Sequence, residues 1–408
     1  MMKINGDRLW DRLMEIAQIG GTPNGGVCRL TLSEEDKKGR LLFEDWCKGL
    51  GCSIRVDAMG NLFATYPGKD PYLPTLLLGS HLDSQPTGGK YDGVMGVLAG
   101  LEVIHTLHDQ NYVPDRNIVV ASWTNEEGAR FTPAMIGSGV FSETFSLDYA
   151  YQQKDKEGIT LHDALNSIGY KGTDSVKPNE FQYALELHIE QGPILEREEK
   201  QIGIVTGVQG IRWYDIHISG KECHAGPTPM DYRIDPMQSV PLLLTELYKI
   251  SEVFGEDARI TIGYIDASPA VKNTVPEKAS ISLDIRHPNE DQLTKMHEFV
   301  LSVIQTIDKE SKSSIELEEI WHSESVVFDD NCVHAVQQAS ETLGYPHRRI
   351  ISGAGHDSVY TSKVIPTSMI FIPCKDGLSH NELESAKKED VIAGTNVLLH
   401  ASLQLQHK

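Results

Sequence analysis

Residues 74–84, Pro74-Thr75-Leu76-Leu77-Leu78-Gly79-Ser80-His81-Leu82-Asp83-Ser84, decide how the rest of the chain is read. Pro74 to Leu78 make a short continuous apolar run, the pattern of a strand buried on both faces in the parallel part of an α/β sheet, and a strand is expected at 74–80. The run ends on His81 and Asp83, and a glycine-rich loop then leads to Tyr91-Asp92-Gly93. A helical face follows at Val94, Val97, Leu98, Leu101 and Ile104. Strand, polar tip, loop and helix form the repeating unit of an α/β fold, in which ligands bind beyond the carboxyl ends of the strands.

The same arrangement recurs along the chain. Asn117–Trp123 reads as a buried strand and leads into Asn125-Glu126-Glu127. Tyr183–Leu187 runs into His188, and a strand at 367–373 precedes Ser379-His380. In one sheet these tips converge on one rim, so residues far apart in sequence can share a site. Upstream, helical spacing covers 8–19, Ser33 caps a helix running to Leu50, and strands are expected at 52–57 and 61–66.

Near Gly210 the pattern changes. Strands are expected at 212–219, 258–267, 278–286 and 313–322, with helices at 236–253 and 289–309. The order is βαββαβ, a ferredoxin-like arrangement. Ala279, Ile281, Leu283 and Ile285 alternate with Ser280, Ser282, Asp284 and Arg286, so one sheet face packs under helices and the other is open. Pro241 delays the start of the first helix. Beyond 327 the α/β pattern resumes with a helix at 331–343. The expected organisation is an α/β domain in two segments, 1–210 and 327–408, interrupted by a second domain at 211–326.

The totals agree with this. A chain of 408 residues is too long for one ordinary core. A net charge of -21 argues against nucleic acid or an anionic membrane as partner. The six cysteines form no C-x-x-C pair and read as incidental thiols of a reducing compartment. The N-terminus has no apolar h-region and no stretch approaches the ~18 apolar residues of a membrane span, so the expected location is cytoplasmic.

Imidazoles and carboxylates at strand tips suit Zn²⁺ or a similar divalent ion. Two metals ~3.5–4 Å apart need a bridging carboxylate, for which the short Asp92 is the candidate, with Gly93 permitting unusual backbone beside it. Asp83 can hydrogen-bond the His81 imidazole and fix its tautomer. In Glu126-Glu127 one carboxylate can hold metal while its neighbour serves as general base. His-x-Asp alone is a weak signal and a Glu pair is commonly a solvated surface. Their shared strand-tip placement is what makes a two-metal hydrolase the leading reading.

Five blocks carry a resemblance. Gly79–Ser84, Tyr91–Val97, Asn125–Phe131, Glu186–Pro193 and Gly377–Asn381 resemble the signatures of the dinuclear-metal aminoacylase and carboxypeptidase superfamily. More narrowly they resemble its amidase and carbamoylase branch, which includes N-carbamoyl-L-amino-acid hydrolases, β-ureidopropionases and allantoate amidohydrolases. The resemblance implies a metallopeptidase-like α/β catalytic domain, with a mixed sheet and helices on both faces, interrupted by a lid and dimerisation domain at 211–326. It implies two divalent ions per subunit, zinc first and manganese, cobalt or nickel as alternatives. His81, Asp92, Glu127, His188 and His380 would be the ligands, with Asp92 shared. Glu126 would be the general base and Asp83 the support of His81.

The resemblance also implies substrate contacts. His224, in Cys223-His224-Ala225-Gly226-Pro227-Thr228-Pro229-Met230, would reach the substrate carbonyl across a dimer interface and stabilise the oxyanion. Pro227 stands where small or hydroxylated residues are frequent. Without the resemblance His224 reads as a turn histidine capping backbone groups. Asn273 and Arg286 would hold a substrate carboxylate, Arg by its planar fork. Gln191 and His356 would contact the ureido or amide group. The implied reaction is hydrolysis of a linear amide C–N bond in an N-carbamoyl amino acid, releasing amino acid, CO2 and ammonia. Allantoate hydrolysis and aminoacylase or dipeptidase activity use the same metals. A non-catalytic binding protein would have lost Glu126 or a ligand, and every expected position is filled.

Overall fold

The apolar run ending at Leu78 and the polar tip to His81 form one strand, Thr75–His81, buried throughout. It pairs in parallel with Ile118–Trp123 on one side and Phe181–Ile189 on the other. Phe181–Ile189 in turn pairs in parallel with Thr367–Ile372, a strand from the far end of the chain. These parallel strands form the centre of a nine-stranded mixed sheet in the computed structural model, which describes residues 1–406. Antiparallel strands extend it at both ends: Ser53–Val56 and Leu62–Tyr66 beyond Ile118–Trp123, and Ile202–Val208 beyond Thr367–Ile372.

Both faces of the sheet centre are covered, which is why its strands read as apolar runs without alternation. Leu78 and Val120 pack toward Gly100 of the helix Val94–Asp109. Leu77, Val119, Ala121 and Trp123 join Phe141, at the end of the helix Ile136–Phe141, in a core on the opposite side. Ser33 caps the helix Glu34–Gly49 by accepting the Asp36 N–H. The C-terminal helix Lys388–Leu405 is largely buried and packs on Val94–Asp109.

The chain divides into two compact units: Met1–Thr206 together with the chain from Val327 onward, and Gly207–Val326. The second unit holds an antiparallel sheet in the order Ile265–Ser268, Lys278–His287, Gly210–Ser219, Ser314–Ser323. Ile281, Leu283 and Ile285 pack against Leu243 and Leu247 of the helix Ser239–Leu247 and Met296 and Val300 of the helix Glu290–Glu310. Burial of such side chains contributes about 1.5–3 kcal/mol each.

Two elements differ from the sequence reading. The strand expected at 258–267 is broken into Arg259–Thr261 and Ile265–Ser268, because the N–H groups of Gly263 and Tyr264 donate to the Ser282 hydroxyl (3.1 and 2.9 Å) in place of a ladder. The helix expected at 236–253 is a short turn at Pro236–Gln238, then Ser239–Leu247 and Ile250–Val253. Pro241 falls in the first turn of Ser239–Leu247, where its missing N–H costs little. Among the described residues no helix is long and apolar enough to cross a membrane.

Candidate metal centre

His81 is the last residue of its strand, and Asp92, after the following loop, faces it. His81 Nδ1 lies 2.9 Å from the backbone carbonyl of Asp83, which calls for a proton on Nδ1 and leaves Nε2 as the donor atom. Nε2 lies 3.5 Å from Asp92 Oδ1 and 3.4 Å from Glu126 Oε2. His188 repeats the arrangement: Nδ1 meets the carbonyl of Ile189 at 2.9 Å, and Nε2 stands 3.1 Å from the same Asp92 Oδ1.

The other oxygen of Asp92 faces a second group. Asp92 Oδ2 is 3.5 Å from His380 Nε2, which is 3.3 Å from Glu127 Oε2. His81, Asp92 and His188 thus form one donor group, Asp92, Glu127 and His380 the other, each with its atoms within 4.8 Å of one another. One carboxylate belongs to both. His380 is the most exposed of the set, at 51%, and marks the open side.

Local backbone makes this packing possible. Asp92-Gly93-Val94 is a γ-turn, with the Val94 N–H donating to the Asp92 carbonyl at 2.7 Å and Gly93 at φ +65°. A Cβ at Gly93 would lie 2.2 Å from the His81 ring. Asn125, Gln191 and His380 also adopt positive φ, so left-handed backbone clusters around the centre.

The residues fit divalent cations. Their donors are imidazole nitrogen and carboxylate oxygen, the set for zinc and related metals. Buried Glu127 Oε1 has no hydrogen-bond partner among the described residues. Burial pushes the Glu127 carboxyl up to about 8, with the charge of Asp92 adding to it. Burial likewise raises Glu126 well above the usual range; His81 opposes this, and Asp357, Glu127 and Asp92 reinforce it. Burial disfavours a charged His81, yet Glu126, Asp92, Asp83 and Glu127 outweigh it and raise its pKa well above the ordinary value. The field is that of crowded carboxylates short of positive charge.

The sequence expectation for Asp83 needs correction. Its carboxylate is 3.7 Å from His81 Nδ1, too far for a hydrogen bond. It accepts instead from the backbone N–H groups of Glu126 and Glu127, both at 3.3 Å, while the Asp83 carbonyl orients His81. Asp83 therefore ties two strand tips together. Gln191 Nε2 donates to Asp92 Oδ2 at 2.8 Å and to the Ser379 hydroxyl at 3.2 Å, so it lies at the cluster and braces the shared carboxylate. His356 is buried behind His188, with ring centroids 4.5 Å apart, and its Nε2 meets the Ser352 hydroxyl at 3.0 Å.

Glu186 backs His188 and His356 as a third group of possible ligands, and each of its oxygens accepts one hydroxyl, from Ser80 and Ser358 at 2.6 and 2.5 Å. Sequence reasoning missed Glu384, Ser379 and Gln85. Gln85 Nε2 donates to Glu127 Oε2 at 2.7 Å, and Ser379 Oγ donates to Asp92 Oδ2 at 2.5 Å. Their one signal was position, on the loops that carry Asp92 and His380.

The remaining expected residues lie in the second unit. His224 and Asn273 meet on a small ladder, Cys223–His224 with Thr274–Val275, where the Ala225 N–H donates to the Asn273 carbonyl at 2.9 Å. His224 Nδ1 accepts the Gly226 N–H at 3.0 Å, the capping role of a turn histidine, and the ring is otherwise exposed. Arg286 lies on the open sheet face beside Asp284, with Nη2 to Oδ2 at 2.7 Å; Trp213 Nε1 donates to the same oxygen at 3.0 Å.

A mixed α/β sheet with imidazoles and carboxylates gathered at the carboxyl rim of its parallel strands defines the class of metallopeptidase-like hydrolases. Residues 77–404 match Peptidase family M20/M25/M40, and the chain belongs to this family. It is 44% identical over 402 residues to an N-carbamoyl-L-amino-acid amidohydrolase of Rhizobium meliloti, covering 98% of this chain and 97% of that one. An allantoate amidohydrolase of Bacillus subtilis is 31% identical over 390 residues, 95% of each chain. The crystal structure of an amidase of the hydantoinase/carbamoylase family from Burkholderia multivorans superposes with a TM-score of 0.96 at 46% identity, covering 100% and 99% of the two chains. The chain is accordingly a hydrolase of this family, and its relatives at 44% and 31% identity are amidohydrolases.

Proposed function

We propose that this hydrolase cleaves N-carbamoyl amino acids, releasing the amino acid, CO2 and ammonia, with two divalent cations held by His81, Asp92, Glu127, His188 and His380. The observation that carries the reading is the single carboxylate of Asp92 facing two donor groups, with Glu126 beside one of them. Bound cations would polarise the scissile carbonyl and acidify the attacking water. Glu126, as the carboxylate, takes a proton from that water and returns it to the leaving nitrogen; burial raises its proton affinity. Asp83, through the Glu126 and Glu127 backbone, holds the base beside its neighbouring ligand.

In the same reading Arg286 and Asn273 bind the substrate carboxylate, His224 of a partner subunit stabilises the developing oxyanion, and Gln191 and His356 line the ureido group. The Gly207–Val326 unit serves as lid and dimerisation domain of a cytoplasmic homodimer. Zinc is the first expectation for the metal. Similarity to an allantoate amidohydrolase favours one second reading, since allantoate also carries ureido groups and a carboxylate.

The test is product release from stripped protein resupplied with zinc, manganese, cobalt or nickel. Substrates are N-carbamoyl-L-α-amino acids, N-carbamoyl-β-alanine, allantoate and N-acetyl amino acids. Ammonia from the N-carbamoyl amino acids is the expected result. Ammonia from allantoate alone moves the assignment to the second reading. Acetate from N-acetyl amino acids with no ammonia from any ureido acid overturns it.

A further inference from the structure

We propose that Glu384 is a positioning residue of the metal centre: its carboxylate ties the loop carrying Asp92 to the loop carrying His380 and so sets the spacing of the two donor groups. The inference rests on the reading of those groups as binders of divalent cations. Glu384 Oε1 accepts two consecutive backbone N–H groups, Tyr91 at 2.9 Å and Asp92 at 3.1 Å. Its Oε2 lies 3.1 Å from the hydroxyl of Ser379, the residue before His380. That hydroxyl closes the circuit by donating to Asp92 Oδ2 at 2.5 Å. One side chain thereby restrains both the backbone and, through Ser379, the side chain of the shared ligand.

The burial pattern of this loop fits a fixed duty for Glu384. Leu383 is 69% exposed while Glu384 is 5% exposed, the reverse of what hydrophobicity alone would select. Room for the carboxylate is made by Gly89, where a Cβ would fall 2.1 Å from Glu384 Cδ. An apolar side chain here would leave the Tyr91 and Asp92 N–H groups without an acceptor, so only a group of the same reach and hydrogen-bonding capacity keeps both stability and geometry.

The experiment compares zinc binding by stripped wild type, Glu384→Ala and Glu384→Gln, using a competing chromophoric chelator, with thermal melting before and after zinc. Glu384→Ala is expected to weaken binding about 10–100-fold, the range for lost outer contacts of metal ligands, and to lose most of the zinc-induced rise in melting temperature. The zinc-free melting temperature should fall by several degrees in Glu384→Ala, as the Tyr91 and Asp92 N–H groups lose their acceptor, and the zinc-induced rise should shrink beyond that loss. Glu384→Gln keeps an oxygen for the two N–H groups and offers an amide N–H to Ser379, so it should bind close to wild type. Equal binding by Glu384→Ala and wild type overturns the inference, as does equal weakening by Ala and Gln. Should Glu384→Ala not fold, Glu384→Asp, one methylene short, replaces it with the same outcomes. Failure of wild type itself to bind any divalent cation would overturn the metal reading instead.

Discussion

Glu126 and Glu127 are chemically identical neighbours, and the structure separates them by what they face. Glu126 Oε2 faces His81, whereas Glu127 Oε2 faces His380 and shares that group with Asp92. If Glu126 is the proton carrier, Glu126→Gln leaves the donor groups intact and lowers kcat by about 10²–10⁴-fold. Elemental analysis and ammonia release check both halves, and substantial residual turnover would remove Glu126 from the role. If Arg286 anchors a carboxylate, Arg286→Ala raises KM about 10–150-fold, the equivalent of about 1.5–3 kcal/mol for a charged hydrogen bond. Unchanged KM for carboxylate-bearing substrates would contradict the anchor. At this scale the ligand candidates were legible, because histidines and acids at strand tips stand out against apolar runs. Asp83 was legible as important but not in its contacts: sequence cannot tell which oxygen of a residue, carbonyl or carboxylate, turns toward a neighbour. Glu384 was illegible, since one buried glutamate in a loop looks like any exposed one.

Among the elements, the strands read best where burial was complete. Thr75–His81 and Ile118–Trp123 differ from expectation only at their ends, because a run covered on both faces has no competing period. The broken strand near Gly263 was unreadable for a specific reason. The break depends on the Ser282 hydroxyl, which belongs to another strand. The γ-turn at Gly93 is the element on which the cluster depends most. Gly93→Ala must relieve a 2.2 Å contact with the His81 ring and accommodate φ +65°. The expected result is soluble protein with its zinc affinity lowered at least tenfold, in the range of lost supporting contacts. Zinc titration by competing chelator checks this, and wild-type affinity in Gly93→Ala would show that the turn tolerates a side chain.

For the molecule as a whole, the crowded carboxylates link stability to pH and to metal. Glu127 and Glu384, pushed up to about 8 and about 7 mainly by burial, sit above their unfolded values near 4.5. Groups raised in this way contribute stability that is complete below the unfolded pKa and is lost as pH rises through the folded one. Raised His81 and His188 act in the same direction above 6.5, while His356 and His380, lowered chiefly by burial, act against it near 6.5. With Glu127 and Glu384 titrating between about 4.5 and their raised folded values, metal-stripped protein should lose stability as pH rises from 5 to 8. Zinc should restore it, most at the alkaline end. Melting curves with chelator and with zinc across that range provide the check, and a stripped protein that gains stability with rising pH would refute the linkage.

The sheet also imposes an order on biosynthesis. Thr367–Ile372 lies between Phe181–Ile189 and Ile202–Val208, so its neighbours emerge from the ribosome long before the strand that must separate them. Until then the apolar edge of Phe181–Ile189 is open to pairing with other chains. Premature termination between Val208 and Thr367 should therefore leave that edge unpaired and yield aggregates.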